Sequence, residues 1–313
     1  MSFEPSLNLA QSVCSLDYYI VDVFTDSALS GNPLAVVMNT AQLGTEQMQA
    51  IAREFNLSET TFVERRAASI EEAQGVRVRI FTTEEELPFA GHPTLGTASV
   101  LRLAAPETLR DSVITLAENV GPIPVRFAAS ECSATDSLFA EMTQRDPEFG
   151  PELDSAEVAR LCGLASDDID PAAAPQIVST GAGFAIVLLR SVQALGRLRV
   201  LQDQAGEWLR SQGARWFYVV APVEDGNSRS FRARMQFNGG EDPATGSAAG
   251  CAVSYLVKRN LAPSEERFLI RQGVEMGRPS EIIVSAKAVG AKVTDIRVAG
   301  STILVAKGQL FLP

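Results

Sequence analysis

The sequence predicts an α+β protein in which mixed or antiparallel sheets wrap around helices. Strand-like segments recur along the chain without the regular helix alternation of a doubly wound parallel sheet. One strand, turn and helix unit is written twice, about half a chain apart. The length of 313 residues exceeds what one hydrophobic core usually serves, so two domains of roughly 150 residues each are expected.

Taken in order, "YYIVDVF" (18–24), "LAVVM" (34–38), "ETTFVE" (59–64), "VRVRIFT" (76–82) and "VITLA" (113–117) are β-branched or aromatic runs of strand length. Between the second and third, Met48, Ile51, Ala52 and Phe55 form a helical stripe over 45–56. The later half repeats the texture with "IPVRFAA", "QIVSTGAGFAIVLL", "WFYVVAPV", "FRARMQF" and "EIIVSAKAVGAKV". Helices are expected there at 155–163, 192–211 and 247–260.

The repeated unit places "HPTLGTA", beginning at His92, over "DPATGSA", beginning at Asp242, with a constant offset of 150. A basic alternating strand precedes each copy and a helix of small residues follows it. Proline in the first turn of a helix sacrifices no hydrogen bond, because those N–H groups have no partner inside the helix. The same free N–H groups and the helix dipole make such an end a receptor for a carboxylate or an enolate. Two of them facing each other would form one cleft. The bland alternative is tight helix-on-sheet packing that needs small residues; duplication with a titratable group in each copy favours a site. Neither copy is a nucleotide loop: GxxxxGK[ST] is absent, and no GxGxxG opens a βαβ unit.

A net charge of −11 and a pI near 4.8 argue against a nucleic-acid partner and for a small molecule. Four scattered cysteines, with no CxxC pair and a single histidine, exclude a zinc site of the usual spacing and suit a reducing, cytoplasmic compartment. "MSFEPSLNLAQSV" shows no secretory signal, and no apolar run approaches the ~20 residues of a membrane helix.

Three titratable residues are candidates for chemistry. His92, the only histidine, sits between glycine and proline at the expected anion site, where an imidazole with a pKa near ~6.5 exchanges protons at neutral pH. Asp242 is either a helix N-cap or a group that orients a partner across the cleft. Glu59 opens an otherwise apolar strand; burial would raise its pKa from ~4.3 into the range of a general acid or base, and the alternative is an exposed strand-start glutamate.

These motifs resemble those of the PhzF-type phenazine biosynthesis family, relatives of diaminopimelate epimerase. The matching stretches are "VDVFTDSALSGNPLAVV" (21–37), "LSETTFV" (57–63), "RIFTTEEELPFAGHPTLGTA" (79–98), "STGAGFAIV" (179–187), "EDPATGSAAG" (241–250) and "QGVEMGRPS" (272–280), nearly the whole chain in order. The resemblance implies two similar domains, each a sheet rolled around a central helix, over residues 13–122 plus 300–313 and over 123–299, with the active site in the cleft between them. The final strand, "ILVAKGQLFLP", would return to the first domain. It also implies an isomerase that moves a proton between carbons of a small carboxylate substrate without a cofactor or metal, and commonly a homodimer. Residue by residue, it makes Glu59 the proton shuttle, assigns His92, Asp242 and Ser247 to catalysis, and gives Gly91 and Gly246 to substrate contact. Thr245 joins them in the second motif, and Arg278 is a further candidate for anion contact, or else for an interdomain salt bridge. The epimerase relatives use a cysteine from each half as an acid/base pair. Ala90 and Thr245 fill those places here, which leaves two-base thiol racemisation as the second enzymatic reading and a non-catalytic binding protein as a third.

Overall fold

The structure is a computed structural model that describes residues 14–104, 112–128, 136–223, 229–237 and 239–312. The expected N-terminal segment without a signal, 1–13, lies outside the described residues.

The first half carries strands β1 (Cys14–Val23), β2 (Asn32–Val37), β3 (Glu59–Glu64), β4 (Val76–Phe81), β5 (Glu86–Leu87), β6 (Val113–Glu118), β7 (Gly121–Phe127) and β8 (Leu138–Gln144). Its helices are α1 (Thr45–Phe55), α2 (Ala68–Gln74) and α3 (Gly91–Ala104). The second half follows with β9 (Glu148–Glu152), α4 (Ser155–Leu161), β10 (Gln176–Ser179), β11 (Gly183–Leu188), α5 (Val192–Gly196), α6 (Gln202–Gln212), β12 (Trp216–Pro222) and β13 (Ser230–Arg234). The short pair β14 (Gln236–Phe237) and β15 (Gly240–Glu241), then α7 (Gly246–Lys258), β16 (Phe268–Gln272), β17 (Ser280–Val289) and β18 (Lys292–Leu312), complete the chain.

One mixed sheet runs β1-β2-β3-β4-β6-β7-β8-β18-β17-β16-β13-β12-β11-β10-β9, and β1 pairs again with β18. That second pairing closes the first eight strands of the path into a barrel, while the rest stays open and ends at β9. The pairs β2/β3, β4/β6, β11/β12 and β13/β16 are parallel and the others antiparallel, as a mixed sheet requires. α3 packs against β1, β2, β3, β6, β7, β8 and β18, and α7 against β10, β11, β12, β17 and β18. Each helix is buried almost all round, which only a core helix tolerates. Gly96 shows why small residues are needed: a Cβ there would lie 2.6 Å from Leu34 Cδ2 and 2.9 Å from Val23 Cγ2.

The 21-residue β18 joins the halves, pairing with β17 and β8 through its first part and with β1 through its last. The final strand does return along β1. The largest apolar cluster therefore contains residues of both halves, from Val21 and Leu95 to Cys251 and Val298, rather than one core per half. The sheet is continuous across position 122, where the sequence places a boundary, because β6 and β7 form one hairpin with Leu116 opposite Ile123.

Two local expectations are corrected. The helix expected over 192–211 is two, α5 and α6, because the N–H groups of Arg199 and Leu201 donate to the carbonyls of Cys162 and Leu161 behind α4. The repeat is also out of register with the helices: α3 starts at Gly91 and α7 at Gly246, 155 positions apart, five more than the motif offset. His92 consequently lies inside the first turn of its helix, whereas Asp242 precedes α7 in the loop.

Candidate active site

The starts of α3 and α7 meet end to end. A Cβ on Gly91 would lie 2.6 Å from the Ser247 nitrogen and 2.9 Å from Gly246 Cα, so only glycine permits this approach. A Cβ on Gly246 would in turn strike the Phe24 ring at 2.8 Å. The positive ends of two helix dipoles thus point at one place, an arrangement that favours negative charge there.

Around this junction β3 supplies Glu59 from its first position, α3 supplies His92, and the β15–α7 loop supplies Asp242. His92 Nε2 lies 3.4 Å from Glu59 Oε2. Asn32, at the start of β2, ties the other two together: its amide nitrogen donates to Asp242 Oδ1 at 2.8 Å and to the Ala244 carbonyl at 2.9 Å, and stands 3.1 Å from His92 Nδ1. The two hydrogens of that amide lie toward Asp242 and Ala244 and its nitrogen cannot accept, so Nδ1 beside it is the unprotonated ring nitrogen and at most shares one of those hydrogens. The imidazole proton is then assigned to Nε2, the nitrogen that faces Glu59.

Asp242 is fixed from every side. Thr245 Oγ1 donates to Asp242 Oδ2 at 2.6 Å, and Gln272 Nε2 donates to the Asp242 carbonyl at 2.7 Å and to Thr245 Oγ1 at 2.9 Å. Gln272 Oε1 accepts from the Thr245 N–H at 3.1 Å and from the Tyr218 hydroxyl at 3.0 Å. By contrast Glu59 Oε2, His92 Nε2 and Asn32 Oδ1 are buried without a hydrogen-bond partner among the described residues. The 3.4 Å separation of Glu59 and His92 is thus a close approach and not a formed bond.

Burial sets the charge states. It pushes the Glu59 carboxyl well above the ordinary range, and the nearby Asp242 adds to the shift. Burial also raises Asp242 to about 6, against the opposing bonds from Thr245 and Asn32. His92 is driven down to about 3, so the expectation of an imidazole that exchanges protons at neutral pH is corrected: the ring is neutral there, because nothing offsets the loss of its hydration. The Glu59–His92 contact is a neutral donor beside a carboxyl group, not an ion pair.

Ser247 and Thr245 lie at the same junction, both buried. Arg278 is placed differently: its guanidinium donates to Asp22 at 2.7 Å and to the carbonyls of Gly31 and Ser30 at 2.8 Å, clasping the β1–β2 loop. A cavity of about 410 Å³ opens beside that loop, lined by Phe24, Thr25, Ser30 and Glu281 among others, and none of Glu59, His92 or Asp242 lines it. Cys251 is buried in α7 with its thiol pushed up to about 11, and Cys162 is buried outside the junction with its thiol pushed up to about 12. Among the described residues no cluster suited to a metal ion is present.

Sequence reasoning passed over Asn32 and Gln272. Each is a fully buried polar residue at the end of an apolar strand, "NPLAVV" and "FLIRQ", and that mismatch was the available signal.

Comparison with known proteins identifies the family of the chain. The model of the PhzC-PhzF family, described as phenazine biosynthesis-like protein, matches residues 21–308. An uncharacterized isomerase of Mesorhizobium japonicum is 36% identical over 95% of this chain and 99% of its own. The trans-2,3-dihydro-3-hydroxyanthranilate isomerase of Pseudomonas aeruginosa is 34% identical, covering 94% of this chain and 99% of its own. A solved structure from the same organism, described as a predicted epimerase, superposes with a TM-score of 0.80 at 34% identity over 94% of this chain and 99% of its own. With similarity along nearly the whole length, the chain belongs to the phenazine biosynthesis-like PhzC-PhzF family, several of whose relatives are named isomerases.

Proposed function

We propose that this isomerase moves a proton between two carbons of one small, carboxylate-bearing substrate, with Glu59 as the acid/base group and no cofactor. The observation that carries the reading is the buried Glu59 carboxyl facing the neutral His92 ring where two helix starts converge, with three unpaired polar atoms around it.

Ionised Glu59 accepts a proton from a carbon whose anion is delocalised into a conjugated system. The raised pKa makes the carboxylate a stronger base than a surface glutamate and leaves the acid form available to return the proton elsewhere on the same π system. His92, carrying its proton on Nε2, donates a hydrogen bond toward Glu59 or the developing anion. The facing starts of α3 and α7, with the N–H groups of Gly246 and Ser247, attract the substrate carboxylate. Asp242 holds Thr245 and, through Asn32, the imidazole. Arg278 supports the adjoining loop instead of the substrate. The thiol alternative draws nothing from Cys162 or Cys251, whose burial disfavours the thiolate. We further read the two helix-and-sheet halves as descendants of one duplicated unit.

Incubation in D₂O with trans-2,3-dihydro-3-hydroxyanthranilate, and with a panel of other small carboxylates, tests the reading. The wild type should incorporate solvent deuterium into at least one of them, while Glu59→Gln retains binding and loses incorporation. Exchange at the wild-type rate in Glu59→Gln would assign the chemistry to another base, and protection by a ligand without exchange would favour a binding protein.

A further inference from the structure

A buried carboxyl outside the junction lies against the helix that carries His92. Glu118 ends β6, is 5% exposed, and sits beside the first turn of α3. Its Oε1 is 2.7 Å from the Thr94 hydroxyl, and that hydroxyl is also 2.7 Å from the Ala90 carbonyl, while Oε2 has no partner among the described residues. Three oxygens in a row at these separations need two hydrogens between them. Thr94 owns one and a carbonyl owns none. If Thr94 donates to Ala90, the remaining hydrogen must belong to Glu118; if Thr94 donates to a Glu118 carboxylate, two bare oxygens are pressed together at Ala90.

We propose that Glu118 is held as the neutral carboxylic acid and, by donating to Thr94, pins the first turn of α3, making it a positioning residue for His92. The Ala90 carbonyl at the end of this chain also accepts the Thr94 N–H, at 3.2 Å, so the relay locks the peptide just ahead of Gly91 and His92.

The surroundings are consistent with a neutral acid. Burial pushes the Glu118 carboxyl up to about 8, against the smaller lowering effects of Thr94 and of Arg77. Arg77, on β4, spends its guanidinium on the Ala117 carbonyl and on Asn119, whose amide donates to Glu86. Glu86 is already paired with Arg79 of β4, and Arg145, beyond β8, reaches the Val120 carbonyl. No cation is therefore committed to Glu118 by a hydrogen bond or ion pair among the described residues.

That the pinned turn serves catalysis rests on the acid/base reading of the site; the protonation and the relay do not, and they are measured without substrate. Because His92 is the only histidine, the imidazole ¹⁵N signals of untagged protein report this ring and the groups beside it, and a Glu59→Gln background removes the carboxyl that faces Nε2. In that background they should shift with a midpoint near pH 8, and on adding Glu118→Gln, whose amide N–H group replaces the acid proton, this transition should vanish while the low-pH signals stay in place. Glu118→Leu should displace the signals at every pH. The thermal midpoint of Glu118→Gln relative to wild type should rise between pH 5 and pH 8. A transition near pH 8 that persists in Glu118→Gln, or thermal midpoints that run parallel over that range, would overturn the proposal. If the spectroscopic results hold while Glu118→Leu keeps full deuterium exchange, the relay exists and its role in positioning the catalytic turn is refuted.

Discussion

The two helix starts that meet at the junction are built alike and finished differently. At α7 the loop is saturated: Asp242, Thr245, Gln272 and Tyr218 form a closed set of hydrogen bonds in which nearly every polar atom has a partner. At α3 the groups that face the junction, Glu59 Oε2 and His92 Nε2, are buried and unbonded. An unsatisfied buried polar atom costs on the order of 1–3 kcal/mol, so at this junction the unmet demand falls on one end while the other is anchored. A site that must accept and return a proton needs such an asymmetry: a rigid frame, and a reactive pair that is not already committed to the frame.

The contrast makes predictions that differ in kind between the two ends. Substitution on the reactive side should damage turnover and spare the fold. Glu59→Gln should lower turnover by about 10²- to 10⁴-fold, the usual contribution of a general acid/base, with a melting temperature at neutral pH no lower than that of the wild type, because burial penalises the ionised carboxyl. Equal losses of stability and turnover would mean that Glu59 is part of the frame.

At the contact between the ends both properties should fall. Gly91→Ala brings a Cβ to 2.6 Å from the Ser247 nitrogen, which is backbone and cannot rotate away. Overpacking of this kind costs about 1–3 kcal/mol, and a shift of ~1 Å between the helix starts should reduce turnover by about 10²-fold. Urea denaturation and turnover measured on the same preparation would check this, and an Ala variant with wild-type stability would show that the helices are not in close contact.

On the framing side the order reverses. Gln272→Leu removes four hydrogen bonds and leaves the Tyr218 hydroxyl, the Thr245 N–H and the Asp242 carbonyl unpaired inside the core. A loss of about 3 kcal/mol or more in unfolding free energy is expected, with residual turnover per folded molecule. A smaller loss than Glu59→Gln produces would erase the distinction between the two ends.

The smallest effect concerns pH. Asp242 titrates at about 6 in the fold and near the ordinary 3.8 when unfolded. Between these values the folded protein keeps a proton that the unfolded chain has released, so this group's contribution to stability is complete below about 3.8 and is lost as pH rises through about 6. Relative to wild type, Asp242→Asn should therefore gain stability as pH rises from 4 to 6. A difference that is flat with pH would place an ordinary carboxylate there.

Much of the site was legible because its chemistry is locally improbable. Glu59 opens an otherwise apolar strand, His92 is the only histidine, and each of the two small-residue helices follows a copy of one motif, 150 positions apart. What the sequence misjudged was environment. It allowed His92 a titratable ring, and burial makes the ring neutral. It aligned Asp242 with His92, and the helix starts are offset from that alignment by five residues. Arg278 was a candidate for anion contact beside a helix cap or an interdomain salt bridge, and its partner Asp22 lies 256 residues away in the chain.

The sequence by itself determined the family and the mixed α+β character and marked the candidate residues of the site, since these follow from local pattern and from the rarity of charged groups in apolar runs. Only the tertiary structure decided that the last strand runs through both halves, that Asn32 and Gln272 organise the site, and that Glu118 sits behind the His92 turn. The reason is physical. A hydrogen bond or a shifted pKa belongs to a pair of groups and to the water excluded from between them, and when the partners lie 24, 30 or 210 positions apart, only the folded chain defines that pair.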